Sequence, residues 1–268
     1  MLEIQQLCKT FSSGPFWSRR HHNALTDISF DIGVNKNSFT GIVGESGSGK
    51  TTLALLILGF LSPTKGKVTY HGKDINQFSK TDRKEFTRKV QPIYQDPFAS
   101  FNPFYKIDRV LTYPLLKFNP SLPKSKYSDE IHSALDSVGL NPRETLGRFP
   151  HQLSGGQRQR VMLARCLLCK PEIIIADEPV SMIDASLRTD ILVQLKNLNL
   201  NHNISILYIT HDLTTAYNAC DELVVMKNGF AVEIGDCKSI IKTPKNKYTQ
   251  DLIRSIPTLD VSQNWLDS

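Results

Sequence analysis

Gly44-Glu45-Ser46-Gly47-Ser48-Gly49-Lys50-Thr51-Thr52 fits the pattern of a phosphate-binding loop, a glycine, four variable residues, then Gly-Lys and a Ser or Thr. Before it runs Phe39-Thr40-Gly41-Ile42-Val43, a short apolar segment that reads as a buried strand. After it runs Leu53-Ala54-Leu55-Leu56-Ile57-Leu58, which reads as a buried helix. Strand, glycine-rich turn and helix give the context this chemistry needs. The glycines let the backbone curl so that successive N–H groups face a phosphate, and the helix N-terminus adds positive potential. Lys50 is expected to reach the terminal phosphates, and the Thr51 hydroxyl to hold Mg²⁺. The competing reading is a glycine-rich turn that matches by chance; the flanking strand and helix argue against it.

The segments upstream alternate. Residues 2–7 set Leu, Ile and Leu against polar neighbours, and 28–32 repeat the pattern, so both read as half-exposed strands. Between them, 12–23 is rich in Ser, Gly, Arg and His and reads as a polar loop inserted between strands. Downstream, Pro63 and Gly66 turn the chain into a strand at 67–71, and a basic helix from Arg83 leads to a strand over 90–94 that ends at Gln95. The texture then changes. Six prolines fall at 92, 97, 103, 114, 120 and 123, Tyr127 to Val138 has helical periodicity, and Asn141-Pro142 is read as its end. Residues 97–153 are therefore expected to form a mostly helical subdomain inserted into the core. Strand–helix alternation returns with the apolar run 173–176, a helix over 187–200, a strand over 204–209, a helix over 213–219 and a hairpin turning at Asn228-Gly229. This order predicts an α/β fold with a mainly parallel sheet. A helical tail begins at 236, and its last dozen residues read as frayed.

Composition narrows the class. The chain has 268 residues, 40% hydrophobic and 22% charged, enough for a large core. No apolar run is long enough to span a membrane, and the N-terminus lacks the shape of a signal peptide, so a cytosolic chain is expected. The net charge of +6 is spread out, without interleaved aromatics, and reads as solvated faces rather than a nucleic-acid groove. Five scattered cysteines argue against a disulfide framework; Cys166 and Cys169 read as buried helix residues rather than a metal or redox pair.

The remaining chemistry gathers at strand ends. Asp177 closes the strand at 173–176, where an open parallel sheet places its ligand, and is a candidate Mg²⁺ ligand through water. Glu178 follows and is the candidate general base for the attacking water. His211, after the strand at 204–209, is a candidate sensor of the terminal phosphate, and Gln95 a polar group able to touch metal or water. Leu153-Ser154-Gly155-Gly156-Gln157 opens a helix. Ser154 can cap it, and the paired glycines make a second anion site, which points to a nucleotide shared with a partner subunit.

Together these residues resemble the ATP-binding subunits of ABC transporters. Residues 44–51 match Walker A, Gln95 the Q-loop glutamine, 153–157 the signature motif, 173–177 Walker B with Glu178 beside it, and His211 the H-loop histidine. The resemblance implies a P-loop NTPase (RecA-like) core with an antiparallel β subdomain and an inserted helical subdomain. In residues, this is a core over 1–96 and 154–235, the insertion over 97–153 and a C-terminal tail over 236–268. It implies ATP and Mg²⁺ as ligands, with ATP held by 44–52 of one subunit and by Ser154, Gly155, Gly156 and Gln157 of another. Asp184 is the cross-subunit aspartate, although Ser181-Met182-Ile183-Asp184 departs from the usual Ser-Ala-Leu-Asp. The ring that stacks on adenine, usually Tyr, falls on Phe11, with Phe16 a competitor.

Residues 95–103, Phe149-Pro150-His151-Gln152, the tail 244–249 and Ile256-Pro257 are similar to the oligopeptide/dipeptide/nickel importer group, and to its second, F-type ATPase subunit. That implies a heterodimer with another ATPase, two transmembrane permease subunits, an extracytoplasmic substrate-binding protein, and a peripheral position on the cytoplasmic face of the cell membrane. Residues 184–188 and 209–217 also resemble oligosaccharide importers, so the cargo stays open at this point. DNA-repair ATPases share a signature motif but insert long coiled coils or zinc modules where this chain is short and proline-rich.

Overall fold

The computed structural model describes residues 1–14, 20–33, 37–96, 99–183 and 185–255. The chain groups into two compact units. One is Met1–Gln77 with the chain from Leu207 onward; the other is Phe78–Ile206. In chain order the first unit supplies β1 (Leu2–Ser13), β2 (Arg20–Ile32), β3 (Phe39–Val43), α1 (Lys50–Ile57), β4 (Lys65–Tyr70) and β5 (Lys73–Asp74). The second supplies α2 (Lys80–Lys89), β6 (Val90–Ile93), α3 (Ile107–Phe118), α4 (Tyr127–Ser137), α5 (Pro142–Thr145), α6 (Gly155–Leu167), β7 (Ile173–Asp177) and α7 (Ala185–His202). Strand β8 (Ser205–Thr210) leads back to the first unit, which ends in α8 (Leu213–Ala219), β9 (Glu222–Lys227), β10 (Phe230–Asp236), α9 (Cys237–Lys242) and α10 (Lys247–Arg254).

In the first unit, β2, β1, β4 and β5 form an antiparallel sheet in that order. Its alternating positions Leu2, Ile4, Ile28 and Ile32 are fully buried, as the period of two requires. Strand β3 runs parallel to β9, with Ile42 opposite Val224, and β10 returns antiparallel along β9. All five residues of β3 are buried, which explains its unbroken apolar character. Helix α1 buries Leu53, Leu56 and Ile57, each worth about 1.5–3 kcal/mol.

In the second unit, β6 and β7 pair in parallel, Val90 opposite Ile173 and Ile93 opposite Ala176. Helix α6 packs against α3, α4 and α7 and buries Val161, Met162, Leu163 and Ala164. Residues 99–153 carry α3, α4 and α5 and share this unit with α2, β6, α6, β7 and α7.

Three local readings change. Residues 12–13 and 20–23 are not loop but the outer rungs of the β1–β2 hairpin, Ser12 opposite His21 and Ser13 opposite Arg20. Strand β6 stops at Ile93, so Gln95 lies in the following bend rather than at the strand's last residue. Asn141-Pro142 opens a helix instead of ending one. Asn141 accepts from the Arg143 N–H at 3.0 Å, and Pro142 sits in the first turn, where its missing N–H costs nothing. Helix α4 has already stopped before Gly139, which takes a left-handed φ of 69°.

Candidate functional site

In the first unit the phosphate loop is gripped from three directions. Strand β3 delivers the chain to Gly44, where a Cβ would stand 2.2 Å from the Met226 carbonyl oxygen of β9; only glycine fits. At Gly49, φ is 105° and a Cβ would meet the Ala24 carbonyl of β2 at 2.7 Å. From the β9–β10 turn, the Gly229 N–H donates to the Ser48 carbonyl at 3.0 Å, while the Gly229 carbonyl accepts from the Thr26 N–H at 2.8 Å. From α10, the Tyr248 hydroxyl accepts the Glu45 N–H at 3.1 Å. The Lys50 ammonium, only 6% exposed, donates to the carbonyls of Gly44 and Glu45 at 2.7 and 2.9 Å. Glu45, Ser46 and Gly47 face solvent on the open side, and no heavy atom stands within 4 Å of a Cβ built at Gly47.

The loop fits a phosphate. The Ser48 hydroxyl is buried with no hydrogen-bond partner among the described residues, and a buried orphan of this kind is costly unless a ligand meets it. No side chain caps α1, whose N-cap is Gly49. Thr51, at the start of α1, is exposed and Thr52 half-buried.

His211 follows β8 and is exposed. Its neighbours fix the backbone there. Thr210 Oγ1 accepts from the Asp212 N–H at 3.0 Å, and the Asp212 carboxylate caps α8 by accepting from the N–H groups of Thr214 and Thr215. Phe11, on β1, is exposed, with the Lys9 ammonium 5.1 Å from its ring centre.

The second unit brings Gln95 and Glu178 together across 83 residues: the Gln95 Nε2 donates to Glu178 Oε2 at 3.2 Å. Asp177 is the last residue of β7, half-buried. Glu178 has a left-handed φ of 46°, strained for a residue with a side chain. Its carbonyl accepts from both the N–H and the hydroxyl of Ser181, at 3.1 and 3.0 Å, which hold the turn. Asp96 pins the bend after Gln95 by accepting the Ala99 N–H at 3.0 Å and, through its carbonyl, the Ser100 hydroxyl at 2.8 Å.

Helix α6 opens on a reciprocal capping box. Ser154 Oγ accepts the Gln157 N–H at 3.2 Å, and Gln157 Oε1 accepts the Ser154 N–H at 2.9 Å. Gly155 starts the helix and Gly156 is buried on it. Cys166 is buried on α6 as expected; Cys169 is also buried, but it lies in the turn after α6 has ended at Leu167 rather than on the helix. Burial pushes their thiols up to about 12 and about 11, leaving them protonated and unreactive at neutral pH. Asp184, Phe16, Pro97, Phe98 and Ile256-Pro257 lie outside the described residues.

Residues 25–181 match the family model "ABC transporter". The chain belongs to the ABC transporter family. It is an ATPase subunit of that family, and residues 232–268 match a second model, "Oligopeptide/dipeptide transporter, C-terminal region". Among curated relatives, it is 36% identical to the oligopeptide transport ATP-binding protein OppF of Lactococcus lactis, over 92% of this chain and 77% of that protein. It is also 36% identical to the putative oligopeptide transport ATP-binding protein YkfD of Bacillus subtilis, over 97% of this chain and 77% of that one. Among solved structures, the ATP-binding cassette MJ0796, dimeric in a post-hydrolysis state with ADP and Pi, superposes with a TM-score of 0.76 at 26% identity, covering 88% of this chain and 99% of that one. CbiO1 of Clostridium perfringens superposes at 0.78 with 25% identity, over 96% and 95%.

For this ABC ATPase the motifs mark the loop, Glu178 and the capped start of α6, but not the contact from the tail to the loop. Tyr248 lies 203 residues from Glu45, and in sequence it reads only as part of the tail that resembles the peptide importers.

Proposed function

We propose that this chain is the ATP-hydrolysing motor subunit of a membrane importer for peptides. The observation that carries the reading is the Gln95–Glu178 hydrogen bond. It ties the candidate base to the segment that precedes four exposed large apolar side chains of the same unit, Phe104, Tyr105, Tyr113 and Leu116. Exposed large apolar side chains of this kind are suited to docking a partner, here the cytoplasmic side of the permease subunits. Hydrolysis state at Glu178 is thereby linked to the docking surface through one short segment. Peptide as cargo is supported by the C-terminal match and by the OppF relatives.

The chemistry follows from the residues. The loop N–H groups and Lys50 take the phosphates, Lys50 exchanging its carbonyl contacts for phosphate oxygens. Glu178 accepts a proton from the attacking water while Gln95 fixes its carboxylate, and the products are ADP and inorganic phosphate. His211 touches the terminal phosphate, and Phe11 stacks on the adenine ring. The oxygen donors suited to Mg²⁺ are the Thr51 hydroxyl in the first unit, and the Gln95 amide and Asp177 carboxylate in the second. When bound, the ion neutralises charge on the transferring phosphoryl group. Ser154, Gly155, Gly156 and Gln157 face the nucleotide of a second ATPase subunit, with Asp184 across that interface. Among the described residues no helix is long and apolar enough to cross a membrane, which accords with a peripheral subunit on the cytoplasmic face that relies on its permeases. An extracytoplasmic binding protein supplies the cargo.

The test is reconstitution with the two permeases, the second ATPase and the binding protein in vesicles. Peptide-loaded binding protein should stimulate ATP hydrolysis and uptake. Stimulation by oligosaccharide-loaded binding protein in place of the peptide-loaded form would overturn the cargo.

A further inference from the structure

The tail of the first unit is built to reach the phosphate loop. The Glu233 carboxylate of β10 accepts the N–H groups of Lys245 and Asn246 at 2.9 and 3.1 Å, which fixes the entry to α10. Asn246 then caps the helix, accepting the Tyr248 N–H at 2.9 Å. Gln250 Nε2 closes the turn by donating to the Pro244 carbonyl at 3.0 Å. These bonds hold Tyr248, 7% exposed, with the Lys227 ammonium 4.3 Å from its ring centre and its hydroxyl on the Glu45 N–H.

That N–H sits at the entrance of the loop, one residue after Gly44. The Glu45 carbonyl accepts both the Ser48 N–H, at 3.2 Å, and Lys50. One peptide away from the Tyr248 contact, therefore, the backbone positions the loop's lysine and its orphaned serine. The opposite side of the loop is held by Gly229 on Ser48. Without Tyr248 the entrance would be tethered chiefly through β3, and the open side would lose its strut.

We propose that Tyr248 is a positioning residue for nucleotide binding: its hydroxyl sets the Glu45 peptide, and through it Lys50 and Ser48, in the geometry that receives phosphate. The C-terminal segment thus acts on the phosphate loop directly. This rests on nucleotide binding at the loop and is independent of the cargo. It assigns the ring and the hydroxyl separate jobs, the ring packing α10 beneath Lys227 and the hydroxyl organising the loop.

The experiment compares wild type, Tyr248→Phe and Tyr248→Ala in the full chain, by calorimetric titration with Mg·ADP well below the melting temperature and by thermal unfolding. Tyr248→Phe should weaken ADP binding about three- to tenfold, the worth of one net hydrogen bond, with little change in Tm. Tyr248→Ala should weaken binding about as much and also lower Tm. In the assembled transporter, Tyr248→Phe should raise KM for ATP while leaving kcat near wild type. ADP affinity of Tyr248→Phe equal to wild type would overturn the proposal, whatever happens to Tm. Failure of the wild-type chain to bind ADP would instead overturn the loop assignment itself, and so separates the two. Because Phe retains the ring, that variant remains informative if the Ala variant does not fold.

Discussion

Two helices of this chain begin at glycines, α1 just after Gly49 and α6 on Gly155 itself, and their first turns are finished in opposite ways. At α1 the N-cap is Gly49, no side chain caps the helix, and the adjacent Ser48 hydroxyl is buried without a partner among the described residues. At α6, Ser154 and Gln157 satisfy each other through a complete capping box. A helix start left without its cap, beside a buried lysine, is an arrangement that a bound anion completes. A helix start that caps itself stands alone and keeps its shape before a ligand arrives. The loop of the first unit is thus left for an anion to complete, whereas the α6 turn of the second holds its shape without one.

The sharpest way to break this contrast is to remove the charge at α1. Lys50→Ala should lower ATP hydrolysis by at least about 10²–10³-fold, the scale for losing one electrostatic stabiliser of the reacting phosphates. Tm should fall little or rise, because Lys50 is nearly buried and its ammonium donates to the Gly44 and Glu45 carbonyls. Phosphate release and thermal unfolding check both. A large fall in Tm with modest loss of activity would mean that Lys50 completes the loop structurally without a ligand.

The second unit should fail differently. Glu178→Gln should cut hydrolysis about 10²–10⁴-fold, the range for losing a general base, while nucleotide affinity stays within about twofold of wild type. Binding and turnover measured on the same preparation separate the two units. Near-normal turnover would remove Glu178 from the base role and with it the significance of the Gln95 contact.

Legibility in the sequence follows the same division. The α1 turn could be read because strand, glycines and helix are contiguous and each carries its own pattern. The capping box at α6 is also local, Ser154 and Gln157 standing three residues apart. The outer hairpin could not be read, since residues 20–23 are exposed on both faces and no alternation marks them as strand. Asn141-Pro142 misleads because the same dipeptide serves either end of a helix, and only the Gly139 stop upstream shows which. The Gln95–Glu178 and Glu45–Tyr248 bonds join residues 83 and 203 positions apart, where periodicity has nothing to say.

Backbone substitution at the loop should have an intermediate effect. Gly49→Ala places a Cβ 2.7 Å from the Ala24 carbonyl and forces alanine to a φ of 105°. The strain should cost about 1–3 kcal/mol in a denaturant titration and reduce nucleotide binding with it. Unchanged stability would mean that the loop and β2 separate at little cost, against the tight grip described above.

The smallest effects give the cleanest comparison, because they change one hydroxyl at each turn. Ser154→Ala deletes the α6 cap and should cost roughly 1 kcal/mol of stability, within the range of about 0.5–2 for such caps. Ser48→Ala removes a buried hydroxyl that has no hydrogen-bond partner among the described residues, so stability should stay level or rise. Nucleotide binding should respond in reverse in the isolated chain: Ser48→Ala weakens it and Ser154→Ala leaves it unchanged, since in the proposed assembly Ser154 serves the nucleotide of another subunit. Denaturant midpoints and Mg·ADP titrations on both variants supply all four numbers. Equal stability losses would mean that Ser48 has a structural partner after all, and the two turns would no longer differ in kind. Loss of ADP affinity in Ser154→Ala alone would place that serine at the chain's own nucleotide and remove the need for a second subunit.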